Sequence, residues 1–268
     1  MQKLLTKILI ISALVFINQS CKKKNKLDPF GSGVNSCPLL AVTDENGNTI
    51  RDFEYVGDQL IRIYSKDDPA STMSFRYDEN GRVKTMEVEN EEDLESYLVK
   101  YTYDKDNRIS ETMGNVAGLD FMKNTFTYSD NKITQVNTEI NLFGQSISGF
   151  TRIEYVNGNV SSVFTSIDGE PEKLAYKGEQ YDSKPQFNPP IYKIAAMGFV
   201  GVANNFFSYF GKNNLVSGKV YNEDGIIDHT TQIVYDYNKQ ELPKTSESIV
   251  TKGSDIKRSL RKYEFNCK

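Results

Sequence analysis

The chain has a single histidine, His229, and this limits the chemistry that its side chains could perform. Protein zinc sites draw on several histidine or cysteine ligands, so one histidine excludes a multi-histidine metal centre. A Ser-His or Cys-His mechanism would depend on this residue alone, directly after Asp228. We expect His229 to be a surface residue.

Acidic residues are more numerous, and two stretches place oxygen atoms at alternate positions as calcium loops do. These are residues 44–48 and 104–107, and neither has the later bidentate glutamate of an EF-hand loop. Hairpin turns use the same residue types, so turn chemistry explains both. Residues 87–95 contain six acids, which we interpret as a solvated hairpin extension; attraction of a cation or a basic partner is the alternative. We predict no catalytic residues, no metal site and no cofactor.

The first twenty residues are organised as an export signal. Lys3 and Lys7 precede an apolar run from Ile8 to Ile17, which is too short for a spanning helix of about twenty residues. Cys21 follows the small residue Ser20 and resembles the lipidated cysteine of bacterial lipoproteins. We therefore predict a lipoprotein signal peptide over residues 1–20 and lipidation at Cys21; an ordinary secretory signal is the alternative. Several acyl chains would anchor the protein permanently to a membrane.

Residues 21–36 are predicted to form a lipid-anchored tether, because their second half is rich in glycine and serine. Their lysines could contact anionic headgroups or remain solvated. They are the only basic cluster in a chain of net charge −4, so nucleic acid is not an expected partner. The cluster consists of Lys22, Lys23, Lys24 and Lys26. Residues 37–268 have the length of a single domain.

Two further cysteines, Cys37 and Cys267, lie near the two ends of this predicted domain. In an oxidising compartment they invite pairing, which would join the first strand to the last. Two free buried thiols are the alternative. A possible disulfide at these positions would close a very long loop, for which the chain-entropy model gives about 5 kcal/mol.

A short pattern repeats through residues 37–268: two aromatic or apolar residues at i and i+2, a polar turn, and another apolar residue. The clearest copies run from Phe75 to Val83 and from Tyr101 to Ile109. A spacing near one hairpin indicates a hairpin repeat. The second aromatic residues recur at intervals of 22 to 28, at Tyr55, Tyr77, Tyr103, Tyr128, Tyr155, Tyr181, Tyr209, Tyr237 and Phe265.

Residues at i and i+2 of a strand share one face, so the aromatic side of each strand is predicted to be buried and the polar side exposed. Turns rich in Asn, Asp and Gly favour short hairpins. The sequence therefore predicts an all-β fold, a long curled or barrel-like antiparallel meander of repeated hairpins. Arg76, Thr102 and Glu264 lie on the second face, which argues against a membrane-embedded barrel.

One segment interrupts the repeat. Pro189 and Pro190 lead into a run rich in Ala and Met that ends at Val200, and Phe206 and Phe207 follow. Prolines can open a helix and Ala and Met favour one, so we predict one short helix or apolar plug near residues 190–207. We interpret it as packed structure and not as a site.

The copies at 75–83 and 101–109 resemble the YD repeats of RHS-type proteins, in which many copies wind a β shell. Together with the export signal, the Tyr181-Asp182 segment and the cysteine near the end, they make the chain similar to a Bacteroidota lipoprotein family of unknown function with a porin-like fold. The resemblance spans most of residues 40–268. It implies a curled or barrel-like antiparallel sheet and carries over no catalytic residues.

These features predict a non-enzymatic envelope lipoprotein that binds a glycan, a peptide or a partner protein on the concave side or rim of its sheet. A structural or assembly accessory of an outer-membrane complex is the alternative. An open aromatic groove would favour binding, and a filled interior with an exposed apolar rim would favour assembly. Lys22 after Cys21 resembles lipoproteins routed to the outer membrane; whether the cell surface or the periplasmic face is occupied stays open.

Overall fold

The computed structural model describes residues 37–66, 70–90, 96–142, 144–200 and 207–267. The predicted signal peptide over residues 1–20, the lipidation site Cys21 and the tether over residues 21–36 lie outside this part of the chain. Within it, no helix is long and apolar enough to cross a bilayer.

The described residues form sixteen strands that close into one antiparallel barrel, with β1 beside β16 and every other strand beside its neighbours in sequence. The predicted barrel-like meander is thereby confirmed. The strands are β1 Leu39–Thr43, β2 Thr49–Val56, β3 Gln59–Ser65, β4 Ser71–Tyr77, β5 Val83–Asn90, β6 Tyr97–Tyr103, β7 Ile109–Val116, β8 Leu119–Ser129, β9 Lys132–Leu142, β10 Gln145–Val156, β11 Asn159–Ile167, β12 Lys173–Pro185, β13 Asn213–Tyr221, β14 Ile227–Tyr237, β15 Pro243–Lys252 and β16 Asp255–Phe265.

The barrel has two different rims. At one rim lie the turns that follow the anchor aromatic residues, together with both chain ends at Cys37 and Cys267; we call it the tyrosine rim. The turns at residues 44–48, 117–118, 168–172, 222–226 and 253–254 lie at the opposite end, which we call the far rim. Each repeat of the sequence is one hairpin that leaves from and returns to the far rim.

Two tight turns of the tyrosine rim are organised by an aspartate and an arginine. Asp78 Oδ1 accepts hydrogen bonds from the backbone N–H groups of Asn80 and Arg82, and its Oδ2 pairs with the Arg82 guanidinium at 2.7 Å. Gly81 has φ +77°, a conformation that glycine adopts at little cost. Asp104 and Arg108 repeat this arrangement one hairpin later. The oxygen-rich stretch at residues 104–107 is thus a hairpin turn.

A β-bulge recurs just before the anchor tyrosine of successive hairpins, for example between Arg76 and Tyr77 and between Thr102 and Tyr103. Bulges raise the local twist and re-aim the following side chain. Hydrogen-bonded pairing between one hairpin and the next also stops short of this rim: β3 pairs with β4 only over residues 62–65 and 71–74. The carbonyl of Leu60 therefore lies beyond the backbone ladder.

The anchor tyrosines replace the missing pairing. Tyr77 Oη donates a hydrogen bond to the Leu60 carbonyl at 2.6 Å, and burial raises the pKa of Tyr77 to about 12, so the hydroxyl stays protonated. The same bond links other hairpins to the one before. Its further copies are Tyr55 to Leu39, Tyr103 to Val83, Tyr128 to Ile109, Tyr155 to Ile133 and Tyr181 to Val160.

In three successive hairpins a cation in or directly after the turn also covers the ring of the next anchor tyrosine. Arg82 lies 4.4 Å from the ring centre of Tyr103, and Arg108 lies 4.8 Å from that of Tyr128. Such cation–π contacts contribute about 0.5–1 kcal/mol at exposed sites. The Tyr-Asp turn with its arginine is therefore an interlock between successive hairpins.

The predicted helix lies inside the barrel as α1, Ile191–Phe199, followed by a short 3-10 helix, Phe207–Phe210. In α1, the Ile194 carbonyl accepts a hydrogen bond from the Tyr101 hydroxyl at 3.1 Å, and the Gly198 carbonyl accepts one from the Tyr97 hydroxyl at 2.8 Å. These bonds hold α1 against the β6 wall. The predicted short helix or plug is confirmed.

The prediction that Tyr209 anchors a strand is wrong. Tyr209 lies in the 3-10 helix, and the hairpin formed by β12 and β13 carries the whole segment 186–212 as an insertion. The anchor after Tyr181 is Tyr237, which is 56 residues later. The insertion has the length of about one repeat, which is why the regular spacing concealed it.

The two faces of the sheet differ as the alternation predicts. Phe53 and Ile63 point inward and are buried, whereas Glu54 and Arg62 from the same strands form an ion pair outside at 3.0 Å. Arg152 likewise pairs on the outer face with Glu172 at 2.6 Å. In these strands the inner face is therefore apolar and the outer face is charged.

Candidate functional site

The sequence-predicted residues do not converge on one site. Cys37 and Cys267 form a disulfide at the tyrosine rim, with Cα atoms 4.1 Å apart. His229 lies near the far rim, where its Nδ1 is 2.8 Å from Asp228 Oδ2. A hydrogen bond with His229, and a weaker effect of the one with Lys252, lower the pKa of Asp228. In the described ranges, no group of three or more His, Cys, Asp or Glu is placed to hold a metal ion.

The acidic stretches are also separate. Asp44 Oδ1 accepts the Asn48 N–H at 2.8 Å, so residues 44–48 are a far-rim turn. In the stretch 87–95, Glu87 accepts a hydrogen bond from Ser96, and residues 91–95 lie outside the described part. An open groove of about 590 Å³ beside Glu87 on the outer face is crossed by Arg62 and Tyr64. Arg62 there already pairs with Glu54, so the groove holds a surface ion network.

The barrel interior is filled on one side. The inward-facing residues in the middle of β5, β6, β7 and β9 are buried, and α1 packs on this wall. A buried polar chain lies beneath the helix: Thr112 donates to the Met197 carbonyl, Asn124 to Thr112, and Thr138 to Asn124. The fully buried apolar residues of the wall are Val83, Met86, Val99, Ile109 and Val136.

The opposite wall, formed by β14, β15 and β16, is open. The register places Ile233 opposite Ser248 and Ser248 opposite Ser259, and the two serine hydroxyls meet at 2.7 Å. Directly opposite residues share a face, so these side chains point into the barrel with Arg261 and Tyr263. All are half-buried although they face inward. We call this part of the interior the open lumen.

Two arginines face the open lumen. Arg51 in β2 lies opposite Val42 in β1, and Val42 lies opposite Tyr263 in β16. Arg261 is two residues from Tyr263 and shares its face of β16. Two interstrand spacings put these strands about 10 Å apart. Burial raises the pKa of the Tyr192 hydroxyl in α1, and the positive charges of Arg51 and then Arg261 oppose this rise.

Aromatic rings form the floor of the open lumen. Tyr192 stacks on Tyr209 with ring centres 5.2 Å apart, and Phe187 packs edge to face on Tyr263 at 4.9 Å and on Tyr235 at 6.1 Å. Tyr263 also shares a hydrogen bond with Ser246 at 2.7 Å. Cations, hydroxyls and aromatic rings together suit ligand binding.

The hairpin of β12 and β13 carries the insertion, and there the anchor Tyr237 bonds to side chains instead of a backbone carbonyl. Tyr237 Oη donates to the carboxylate of Asp182, and Asn214 Nδ2 reaches both, at 3.2 Å from Asp182 Oδ2 and 3.0 Å from Tyr237 Oη. Asn214 is buried. This cluster fastens the entrance and exit of the insertion that carries α1.

Sequence reasoning missed the two lumen arginines, although a signal was present. Each stands four residues before an anchor aromatic, Arg51 before Tyr55 and Arg261 before Phe265. The same position is apolar in three other hairpins, at Met73, Val99 and Ile233, and is Asn124, Thr151 or Lys177 in three more, so arginine marks these two strands. A comparison of repeats at this position would have found them.

No protein-family model matches the chain, and no curated protein matches it. Among solved structures it is similar to a porin-like protein from Bacteroides vulgatus, with TM-score 0.52 and 12% identity over 85% of this chain and 98% of that chain. That likeness supports the barrel fold. A porin-like protein from Bacteroides uniformis gives TM-score 0.47, 12% identity and coverage of 86% and 96%. The Photorhabdus luminescens Tc holotoxin pore gives TM-score 0.33, 10% identity and coverage of 82% of this chain and 14% of that chain.

Proposed function

We propose that this protein is a non-enzymatic envelope lipoprotein that binds a ligand in the open lumen. The observation that carries the proposal is the unequal filling of the barrel. The helix α1 buries one wall, whereas Ser248, Ser259 and Arg261 on the inward face of β15 and β16 are polar and half-buried. Polar groups that face inward and still reach solvent are available for hydrogen bonds with a bound molecule. They are the groups that a ligand would contact.

The anchoring follows from the proposed lipidation of Cys21. The chain enters the barrel at Cys37 on the tyrosine rim, so the sixteen-residue tether over residues 21–36 reaches at most about 55 Å from the membrane to that rim. We place the protein on the outer membrane. Protease shaving of intact cells identifies the leaflet: loss of the protein means exposure to external glycans, and protection means a periplasmic ligand.

A second candidate function, that of an assembly accessory, is favoured by apolar side chains on the far rim. Leu119 is 72% exposed and Ile226 63% exposed, and others lie near the same rim. Such clustering is typical of protein contact surfaces. The remaining exposed apolar residues there are Ile147, Ile167, Ile227 and Ile256.

The test uses the full chain, processed in a bacterial envelope and purified in detergent, on an array of neutral and acidic oligosaccharides and short peptides. A bulky side chain in the lumen, Ser259→Trp, should abolish binding because Ser259 faces inward. The matched control is Arg258→Trp, on the outer face of the same strand, which should bind like the original chain.

Three results bear on the proposal, provided that both variants keep the circular dichroism spectrum of the original chain. Binding lost only in Ser259→Trp supports the lumen. Equal binding by both variants overturns it. An envelope complex that survives Ser259→Trp and is lost in Leu119→Asn assigns the function to the far rim instead.

A further inference from the structure

The inward face of β16 carries positive charge from the far rim to the aromatic floor. Lys257, Ser259, Arg261 and Tyr263 alternate on this face, and Arg51 faces the same space from β2. The four residue steps along the strand from Lys257 to Arg261 span about 13 Å of depth. Among the described residues of this face, the first carboxylate is Asp255 at the rim itself.

Arg261 differs from the arginines of the outer face in its surroundings. Arg62, Arg152 and Arg258 each pair with a glutamate on the exterior. Arg261 forms no ion pair with the described residues, and the groups on which its charge acts are the hydroxyls of Tyr192 and Tyr263. A half-buried guanidinium that has no carboxylate partner among the described residues favours a bound anion.

The neighbouring groups narrow the class of anion. A guanidinium matches a carboxylate through two parallel hydrogen bonds. The hydroxyls of Ser248 and Ser259 can both donate and accept, which suits ligand hydroxyl groups, and Tyr192 and Tyr209 supply an aromatic floor. We infer that the open lumen binds an acidic saccharide whose carboxylate pairs with Arg261. This inference rests on the proposed lumen function and adds the class of ligand.

The experiment is calorimetric titration of the full chain with digalacturonate, with neutral galactobiose as the matched saccharide and inorganic sulfate as the matched anion. Digalacturonate should bind, more weakly as salt is added, and Arg261→Gln should weaken it about tenfold or more. Arg258→Gln, which removes an outer-face guanidinium from the same strand, should leave binding unchanged. Arg261→Lys should recover only part of the affinity, because a point charge lacks the planar fork.

Each contrary result has its own meaning. Galactobiose binding that depends on Ser259 but not on Arg261 would overturn the acidic class and keep the lumen function. Sulfate that competes as well as digalacturonate at equal concentration would reduce the site to a general anion site and overturn the saccharide assignment. If the charge of Arg261 lacks a partner, it destabilises the fold, so Arg261→Gln should raise the melting temperature. The inference is overturned if digalacturonate does not bind and Arg261→Gln melts at the same temperature as the original chain.

Discussion

Tyr103 ends its strand with the hydroxyl 2.8 Å from the carbonyl oxygen of Val83 in the preceding hairpin. The ring packs against the core, and Arg82 covers its face. One side chain thus joins two hairpins by three kinds of contact. The sequence pattern identified the ring as buried but gave no sign of the hydroxyl bond, because a phenylalanine at this position would have predicted the same strand.

We therefore expect Tyr103→Phe to lower the free energy of unfolding by about 1 kcal/mol, since it leaves the Val83 carbonyl without its donor. Urea unfolding monitored by circular dichroism measures the change. Tyr64→Phe is the control: Tyr64 faces outward and is 38% exposed, so its loss should cost under about 0.5 kcal/mol. Equal effects at the two positions would contradict a role for the inter-hairpin bond.

At the scale of elements, the period-2 alternation predicted the hairpins because each strand has one buried and one solvated face. The alternation did not determine the number of hairpins. The 186–212 insertion added a false repeat at Tyr209, and closure of β1 on β16 depends on the twist accumulated over the whole sheet, which no local pattern records. The apolar composition of residues 190–207 was sufficient to predict α1, since a run of Ala and Met without polar alternation fits a buried helix.

The position of α1 is set by Gly198. A Cβ atom there would lie 3.1 Å from Val99 Cγ2 and 3.1 Å from Met86 Cε, so the helix approaches the barrel wall as closely as its backbone permits. We expect Gly198→Val to lower the free energy of unfolding by about 1–3 kcal/mol through overpacking. Met197→Leu, a change of similar volume on the same helix, should cost under about 1.5 kcal/mol. Denaturant midpoints compare the two, and a neutral Gly198→Val would show that the helix is free to shift.

For the whole molecule, closure brings the first and last strands together. Cys37 and Cys267 join beside this seam, next to Phe265, which has no hydroxyl to donate. The sequence is compatible with paired or free thiols, because a pattern of strands does not determine whether the first and last strands are adjacent. The closed barrel places them side by side.

We expect the double change Cys37→Ser with Cys267→Ser to lower the unfolding free energy by up to about 5 kcal/mol, because the bond constrains the unfolded chain. Urea unfolding with and without reductant measures the effect. Reductant should destabilise the original chain and leave the double variant unchanged. An intact mass that does not rise by about two mass units on reduction would mean that no bond forms.

Because the seam closes between two neighbouring hairpin strands, the place where the polypeptide begins is a matter of gene order and not of barrel geometry. A circularly permuted gene that joined residue 267 to residue 37 and opened at the turn between Asn157 and Gly158 would keep every strand beside its present neighbours. Its ends would still emerge at the tyrosine rim, but on another side of the circumference. An N-terminal lipid tether would then suspend the same cylinder from a different point.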